Sequence, residues 1–233
     1  MYIFFICYYK KGGLCVRYKL LNKDEITNVI QILQETYPAP QCGLEYTNPF
    51  ELMLSLILAA QCTDERVNII RPKLTEIYPT PKDIQNAGIA KVYEIIKSCS
   101  FPNNKAKHII GACETLLEKY NGKVPDTMQT LTALPGIGRK SANIILSECF
   151  GKVEGIAVDT HVTRLSKKIG FTNSTDVVII EKDLMRKIPK TLWGIINHTL
   201  VTHGKTICIA RKPKCDICPI NTICREVKAI NLK

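Results

Sequence analysis

At 233 residues and 45% hydrophobic content, the chain can bury a sizeable core and holds one domain or two small ones. Its 32 Lys and Arg against 21 Asp and Glu give a formal charge of +11, which points to a polyanionic partner, nucleic acid first, because phosphate neutralisation rewards cations. Eleven cysteines, an odd number in a chain too large to need staples, exclude a disulfide framework and indicate a reducing compartment.

Residues 2–9 (YIFFICYY) are apolar but far too short to span a bilayer. Lys10 and Lys11 follow this run, whereas a secretory signal carries its charge in front. No later segment reaches the length of a membrane span without charges. The reading is a cytoplasmic, nucleoid-associated protein with an N-terminal tail over residues 1–20.

From Asp24 onward the pattern is helical almost throughout. Ile26, Val29, Ile30 and Leu33 fall on one face at helical spacing. Asn48 and Pro49 read as an N-cap and a first helical residue. Residues 50–60 are apolar on nearly every side, the mark of a central buried helix. Pro72 is expected to start or kink a helix. Ile109, Ala112, Cys113, Leu116, Leu117 and Tyr120 form another stripe, stopped by Asn121-Gly122. Further stripes are Ala142, Ile145, Leu146 and Cys149; Val162, Leu165 and Ile169; and Leu192, Ile195, Ile196 and Leu200. No sustained period-2 alternation occurs, so the fold class is all-α, with about ten short helices by ordinary helix lengths.

Three segments carry chemistry. In Leu134-Pro135-Gly136-Ile137-Gly138-Arg139-Lys140, a helix-like stretch (127–133) leads into a glycine turn and a second helix. Glycines allow bare backbone to approach a ligand, and the first N–H groups of the helix favour an anion. An ordinary turn between two helices would look the same. Lys140 lies just inside that helix beside Arg139, surroundings that favour a neutral amine able to form a Schiff base. In Val158-Asp159-Thr160-His161, Asp159 is placed to cap a helix, and a capping carboxylate has a fixed direction. His161 and His198 read first as packing or hydrogen-bonding histidines.

Seven cysteines are scattered singly (Cys7, Cys15, Cys42, Cys62, Cys99, Cys113 and Cys149) and read as small buried hydrophobes. The other four, Cys208, Cys215, Cys218 and Cys224, have the spacing Cys-x6-Cys-x2-Cys-x5-Cys. Four thiolates can hold zinc or an iron–sulfur cluster. Zinc sites usually pair two Cys-x-x-Cys knuckles, and only one pair here is that close. Arg211, Lys212 and Lys214 stand between the first two ligands.

Taken in order, AAQCTDERVN (59–68), NNKAKHI (103–109), LPGIGRKSAN (134–143), VDTHVTR (158–164), HGKTICIARKPKCDICP (203–219) and Cys224 make the chain resemble the endonuclease III family of DNA glycosylases, in the helix-hairpin-helix superfamily. The resemblance runs from about Leu21 to Cys224. It implies two helical lobes flanking a DNA-binding cleft. One spans residues 42–152 and carries the helix-hairpin-helix; the other joins 21–41 to 153–233 and holds a 4Fe-4S cluster on Cys208, Cys215, Cys218 and Cys224. It implies catalytic roles for Lys140 and Asp159. It also implies DNA contacts by Gln61, Phe101, Lys105, Leu134, Gly136, Gly138, Arg139, His161, Arg211, Lys212 and Lys214.

The implied activity is that of a bifunctional DNA glycosylase and abasic-site lyase of base excision repair. It would remove oxidised pyrimidines from duplex DNA and cleave 3′ to the abasic site by β-elimination through a lysine Schiff base. The partner is duplex DNA with damaged bases or abasic sites; a monomer is expected, with no membrane. Two departures stand out: Ser100-Phe101-Pro102 where the family usually carries a glycine, and a slightly longer connection between Lys140 and Asp159, which the loop 151–155 can absorb. Two alternatives stay open. An adenine glycosylase of the same superfamily would lack the lysine at position 140 and carry a further C-terminal domain. A non-catalytic DNA-binding module would need neither Lys140 nor Asp159.

Overall fold

In a computed structural model of the protein, residues 19–231 are described, so most of the tail read over residues 1–20 lies outside them. Among the described residues there is no strand; eleven α-helices and two short 3₁₀ turns supply the regular structure. The chain divides into two units, Cys42–Ala157 and the pair Met1–Gln41 with Val158–Lys233.

Within Cys42–Ala157, small polar residues start most helices. Asn48 caps α2 (Pro49–Leu58), Thr63 caps α3 (Asp64–Ile77), Thr80 caps α4 (Pro81–Ile96) and Thr127 caps α6 (Met128–Thr132), each accepting a backbone N–H three residues on. Each such cap is worth about 1 kcal/mol. Two helices of this unit begin without a side-chain cap: α5 (Pro102–Tyr120), preceded by Phe101, and α7 (Arg139–Phe150), preceded by Gly138. Those two starts carry the candidate site.

The core of this unit forms around α2, where residues 52–58 are all buried and against which α3, α5 and α7 pack. A helix apolar all round can only be a central one. At its edge Arg71, 7% exposed, pairs with Glu51 at 3.0 Å and donates to the Glu45 carbonyl at 3.2 Å, tying α3 to the approach to α2. Pro72 does not start a helix: it lies inside α3, flanked by buried Val67, Ile70 and Leu74. A break falls in α4, where Gly88 takes φ +74°. Asn121 ends α5 in the left-handed region, as the Asn-Gly pair suggested.

In the other unit, Asn22 and Glu25 form a capping box at the start of α1 (Lys23–Thr36), whose buried residues are Ile26, Val29, Ile30 and Leu33. Helix α8 (Thr160–Ile169) is the hub, packing against α9 (Val177–Lys187), α10 (Trp193–Thr206) and α11 (Arg225–Asn231). Close approach of α8 and α10 depends on Gly204: a Cβ there would lie 2.6 Å from His161 Nδ1. The Leu21 N–H donates to the Gly170 carbonyl at 3.0 Å, fastening the entry of α1 to the end of α8.

Candidate functional site

The hairpin of Cys42–Ala157 is built from its buried points outward. Leu134 and Ile137, 2% and 4% exposed, anchor the turn between α6 and α7. Between them Gly136 takes φ +81°, and a Cβ there would lie 2.9 Å from the His108 Cβ, so both conformation and space demand glycine. Gly138 has open space around it. It begins α7 with no side-chain cap, leaving the first N–H groups of that helix to an outside acceptor. Gly136, Gly138, Arg139 and Lys140 are all exposed, with Lys140 in the first turn of α7. An uncapped helix start with two cations beside it suits a phosphate.

A second feature joins two loops of the same unit. Gln61 and Phe101 hold φ values of +52° and +54°, a region that costs a non-glycine residue about 1–3 kcal/mol. Both are exposed, Phe101 at 60%. Ser100 Oγ donates to the Gln61 carbonyl at 2.7 Å, stitching the loops together. Lys105, expected among the DNA contacts, is instead buried at 3% exposure in the first turn of α5, on the helix face that also buries Ala106, Ile109 and Ala112. Burial lowers its pKa. Leu134 is likewise buried, which leaves its side chain a packing role.

In the other unit Asp159 caps α8, its Oδ1 accepting the Val162 N–H at 2.8 Å. His161 is half-buried, with Nδ1 3.3 Å from Arg164 Nη2. His198 is buried in α10. Arg164 donates to the Cys208 carbonyl and lies 3.8 Å from Cys208 Sγ.

All four clustered cysteines line one cavity, walled by Ile169, Ile207, Ile220 and Val227. Among the described residues no three His, Cys, Asp or Glu groups converge to hold a single ion. Thiols ringing a cavity without meeting at a point fit a cluster larger than one ion. Burial pushes the Cys208 and Cys224 thiols up, and Cys218 up to about 11, so a positive metal centre is needed to hold them as thiolates. His203 is pushed down to about 4 by burial and the charge of Arg164. It stays neutral, and its Nε2 lies 3.7 Å from Cys218 Sγ. Arg211, Lys212 and Lys214 are exposed on the loop beside the cavity.

Residues 54–190 match the HhH-GPD superfamily of base excision DNA repair proteins, and residues 208–224 match the iron–sulfur binding domain of endonuclease III. Endonuclease III of Synechocystis sp. is 42% identical over 208 residues, covering 89% of this chain and 95% of that protein. The chain belongs to the endonuclease III family. Endonuclease III of Bacillus subtilis is 40% identical over 89% of the chain and 94% of its own length. A solved structure of a trapped endonuclease III–DNA covalent intermediate, in an estranged-adenine complex, superposes with a TM-score of 0.86 at 40% identity, covering 91% of this chain and all of that one.

As a member of the endonuclease III family the chain is a DNA glycosylase and abasic-site lyase of base excision repair, with a 4Fe-4S cluster. No helix among the described residues is long and apolar enough to cross a membrane. Sequence reasoning gave no role to His203, which lines the cysteine cavity, or to Arg164, which donates to the Cys208 carbonyl. Both lie inside the motifs VDTHVTR and HGKTICIARKPKCDICP, and their positions were the available signal.

Proposed function

We propose that this enzyme removes oxidised pyrimidines from duplex DNA and cuts 3′ to the resulting abasic site, with Lys140 as nucleophile and Asp159 as the carboxylate that serves it. The observation that carries the reading is Lys140, exposed in the first turn of α7 directly after the uncapped Gly138 turn. The covalent DNA intermediate trapped on the related endonuclease III supports an attacking side chain.

The chemistry follows from the residues. A damaged nucleotide leaves the stack at a cost of a few kcal/mol, less where damage has weakened stacking. Backbone N–H groups at Gly136 and Gly138, with Arg139, hold a neighbouring phosphate without reading sequence. The Lys140 amine attacks the sugar C1′, the C1′–N bond breaks and the base departs with a proton. Asp159, aligned by its cap hydrogen bond, stabilises positive charge developing on the sugar. Ring opening gives an imine that acidifies the C2′ hydrogen; its removal expels the 3′ phosphate. Hydrolysis then frees Lys140.

Gln61 offers an amide to the orphaned partner base, and Phe101 a ring to stack on it; the strained backbone at both positions supports this role. Cys208, Cys215, Cys218 and Cys224 hold the cluster, which when bound braces the loop presenting Arg211, Lys212 and Lys214 to phosphates. His161 lies at the start of α8 beside Asp159 and serves the same DNA surface. We take Cys42–Ala157 as the hairpin lobe and the other unit as the cluster lobe of a monomer associated with the nucleoid.

The test is excision from a panel of duplexes, each with one defined lesion. Release of ring-saturated and fragmented pyrimidines, followed by strand cleavage 3′ to the site, is expected. Release of adenine from mismatches with no action on pyrimidine lesions would overturn the substrate assignment.

A further inference from the structure

Behind the four thiols, one hydroxyl reaches the cysteine cavity through a histidine. Tyr37 ends α1, where its N–H donates to the Leu33 carbonyl at 2.9 Å, and its half-buried side chain lies against α10. The phenol oxygen is 3.0 Å from His203 Nδ1 and 3.1 Å from Thr206 Oγ1, one turn further along the same helix. The Tyr37 and His203 rings meet edge to face, with centroids 5.9 Å apart. His203 is 1% exposed, and its other nitrogen, Nε2, is 3.7 Å from Cys218 Sγ. A hydroxyl, an imidazole and a sulfur thus stand in series between α1 and the cavity.

Counting donors decides where the protons lie. A thiolate that holds iron can only accept. The neutral His203 ring carries one hydrogen, leaving a lone pair on its other nitrogen. An Nε2 lone pair would be repelled by the sulfur, so the hydrogen belongs on Nε2. Nδ1 must then accept, and the Tyr37 O–H is its donor at 3.0 Å. Thr206 competes for that phenol proton, since its own hydroxyl donates to the Thr202 carbonyl at 2.8 Å and leaves its oxygen free to accept. Were Tyr37 to donate to Thr206, Nδ1 would take the ring hydrogen and a lone pair would face the thiolate. The bound sulfur therefore selects the other arrangement.

We infer that Tyr37 is a positioning residue for the cluster: its hydroxyl fixes the His203 tautomer whose Nε2–H donates to the Cys218 thiolate. Partners behind a metal ligand orient it and tune the metal centre. A hydrogen bond to a ligand sulfur draws off negative charge and favours the more reduced state, so this bond raises the reduction potential of the cluster. Arg164 acts on another ligand, donating to the Cys208 carbonyl with its Nη1 3.8 Å from Cys208 Sγ. The inference rests on the proposed reading of Cys218 as a cluster ligand.

The wild-type holoenzyme is compared with Tyr37→Phe, Thr206→Val and His203→Leu by iron content and by film voltammetry of the one-electron couple of the cluster. Tyr37→Phe removes one oxygen and keeps the ring. It should bind iron fully and shift the reduction equilibrium about ten-fold, a fall of about 59 mV. Thr206→Val removes the other α10 partner of the same hydroxyl and should keep the wild-type potential. His203→Leu should lower the potential at least as far, and adding Tyr37→Phe to it should change nothing more, because the two act in series. A wild-type potential in Tyr37→Phe, an equal fall in Thr206→Val or additive falls in the double variant would overturn the relay. Should His203→Leu take up no iron, resonance Raman decides on Tyr37→Phe alone: the iron–cysteine stretch rises when the sulfur loses its hydrogen bond, and an unmoved band overturns the relay. Full iron content in Cys218→Ala would remove the ligand reading, and the relay with it.

Discussion

Phe101 is held in the left-handed region with most of its ring in solvent, so neither its backbone nor its side chain serves the core. Phe101→Ala should weaken binding to lesion-bearing duplex about ten-fold or more, within the roughly 1–3 kcal/mol measured for base–aromatic stacking. Its melting temperature should move by no more than about 2 °C, an effect below about 1 kcal/mol for a chain of this size. Phe101→Gly should bind as poorly yet melt no lower, because glycine relieves the backbone strain. A drop of several degrees with lesion affinity intact would return Phe101 to a packing role. Asp159 separates two roles in the same way. Asn is also a good N-cap, so Asp159→Asn should retain the fold and lose activity, whereas Asp159→Ala should also lose about 1 kcal/mol of stability. Circular dichroism melts beside nicking assays decide both pairs. At this scale the loop character of Ser100-Phe101-Pro102 was legible, since those residues favour turns. The burial of Lys105 was not: it shares the buried face of α5 with Ala106, Ile109 and Ala112, and the polar run Asn103-Asn104-Lys105 gives no local sign of it.

Among the elements, the helix-hairpin-helix turn tests whether its two glycines serve different purposes. Gly136→Ala must move His108 and accept a positive φ, and should cost about 1–3 kcal/mol together with DNA affinity. Gly138→Ala meets nothing within 4 Å and should cost no more than about 1 kcal/mol. Equal losses at both positions would contradict the close-approach account. The cysteine loop makes a comparable prediction: iron and sulfide at about four each per chain, with Cys218→Ala lowering both along with soluble yield, because lost ligands release the surrounding loop. Helix starts were read well because Asn48-Pro49 and Asp159 act through neighbours two or three residues away. So was the α1 stripe, whose Ile26, Val29, Ile30 and Leu33 are its buried face. Pro72 did not start a helix because the buried residues on both flanks carry α3 past it, and Gly88 marks a break in α4 by conformation alone.

For the whole molecule, a charge of +11 makes DNA binding strongly salt-dependent. Replacing Arg211, Lys212 and Lys214 with Ala should reduce the slope of log affinity against log salt by about two to three if each neutralises one phosphate. The order of the motifs along the chain revealed the family, and the chemistry at its centre turns on one amine. The most direct test is borohydride trapping on duplex DNA with a single abasic site, comparing the wild-type protein with Lys140→Gln. The wild-type protein should form a covalent protein–DNA adduct that maps to Lys140, and the variant should form none and cut nothing while still binding the duplex. A variant that traps at the wild-type level would show that another amine is the nucleophile.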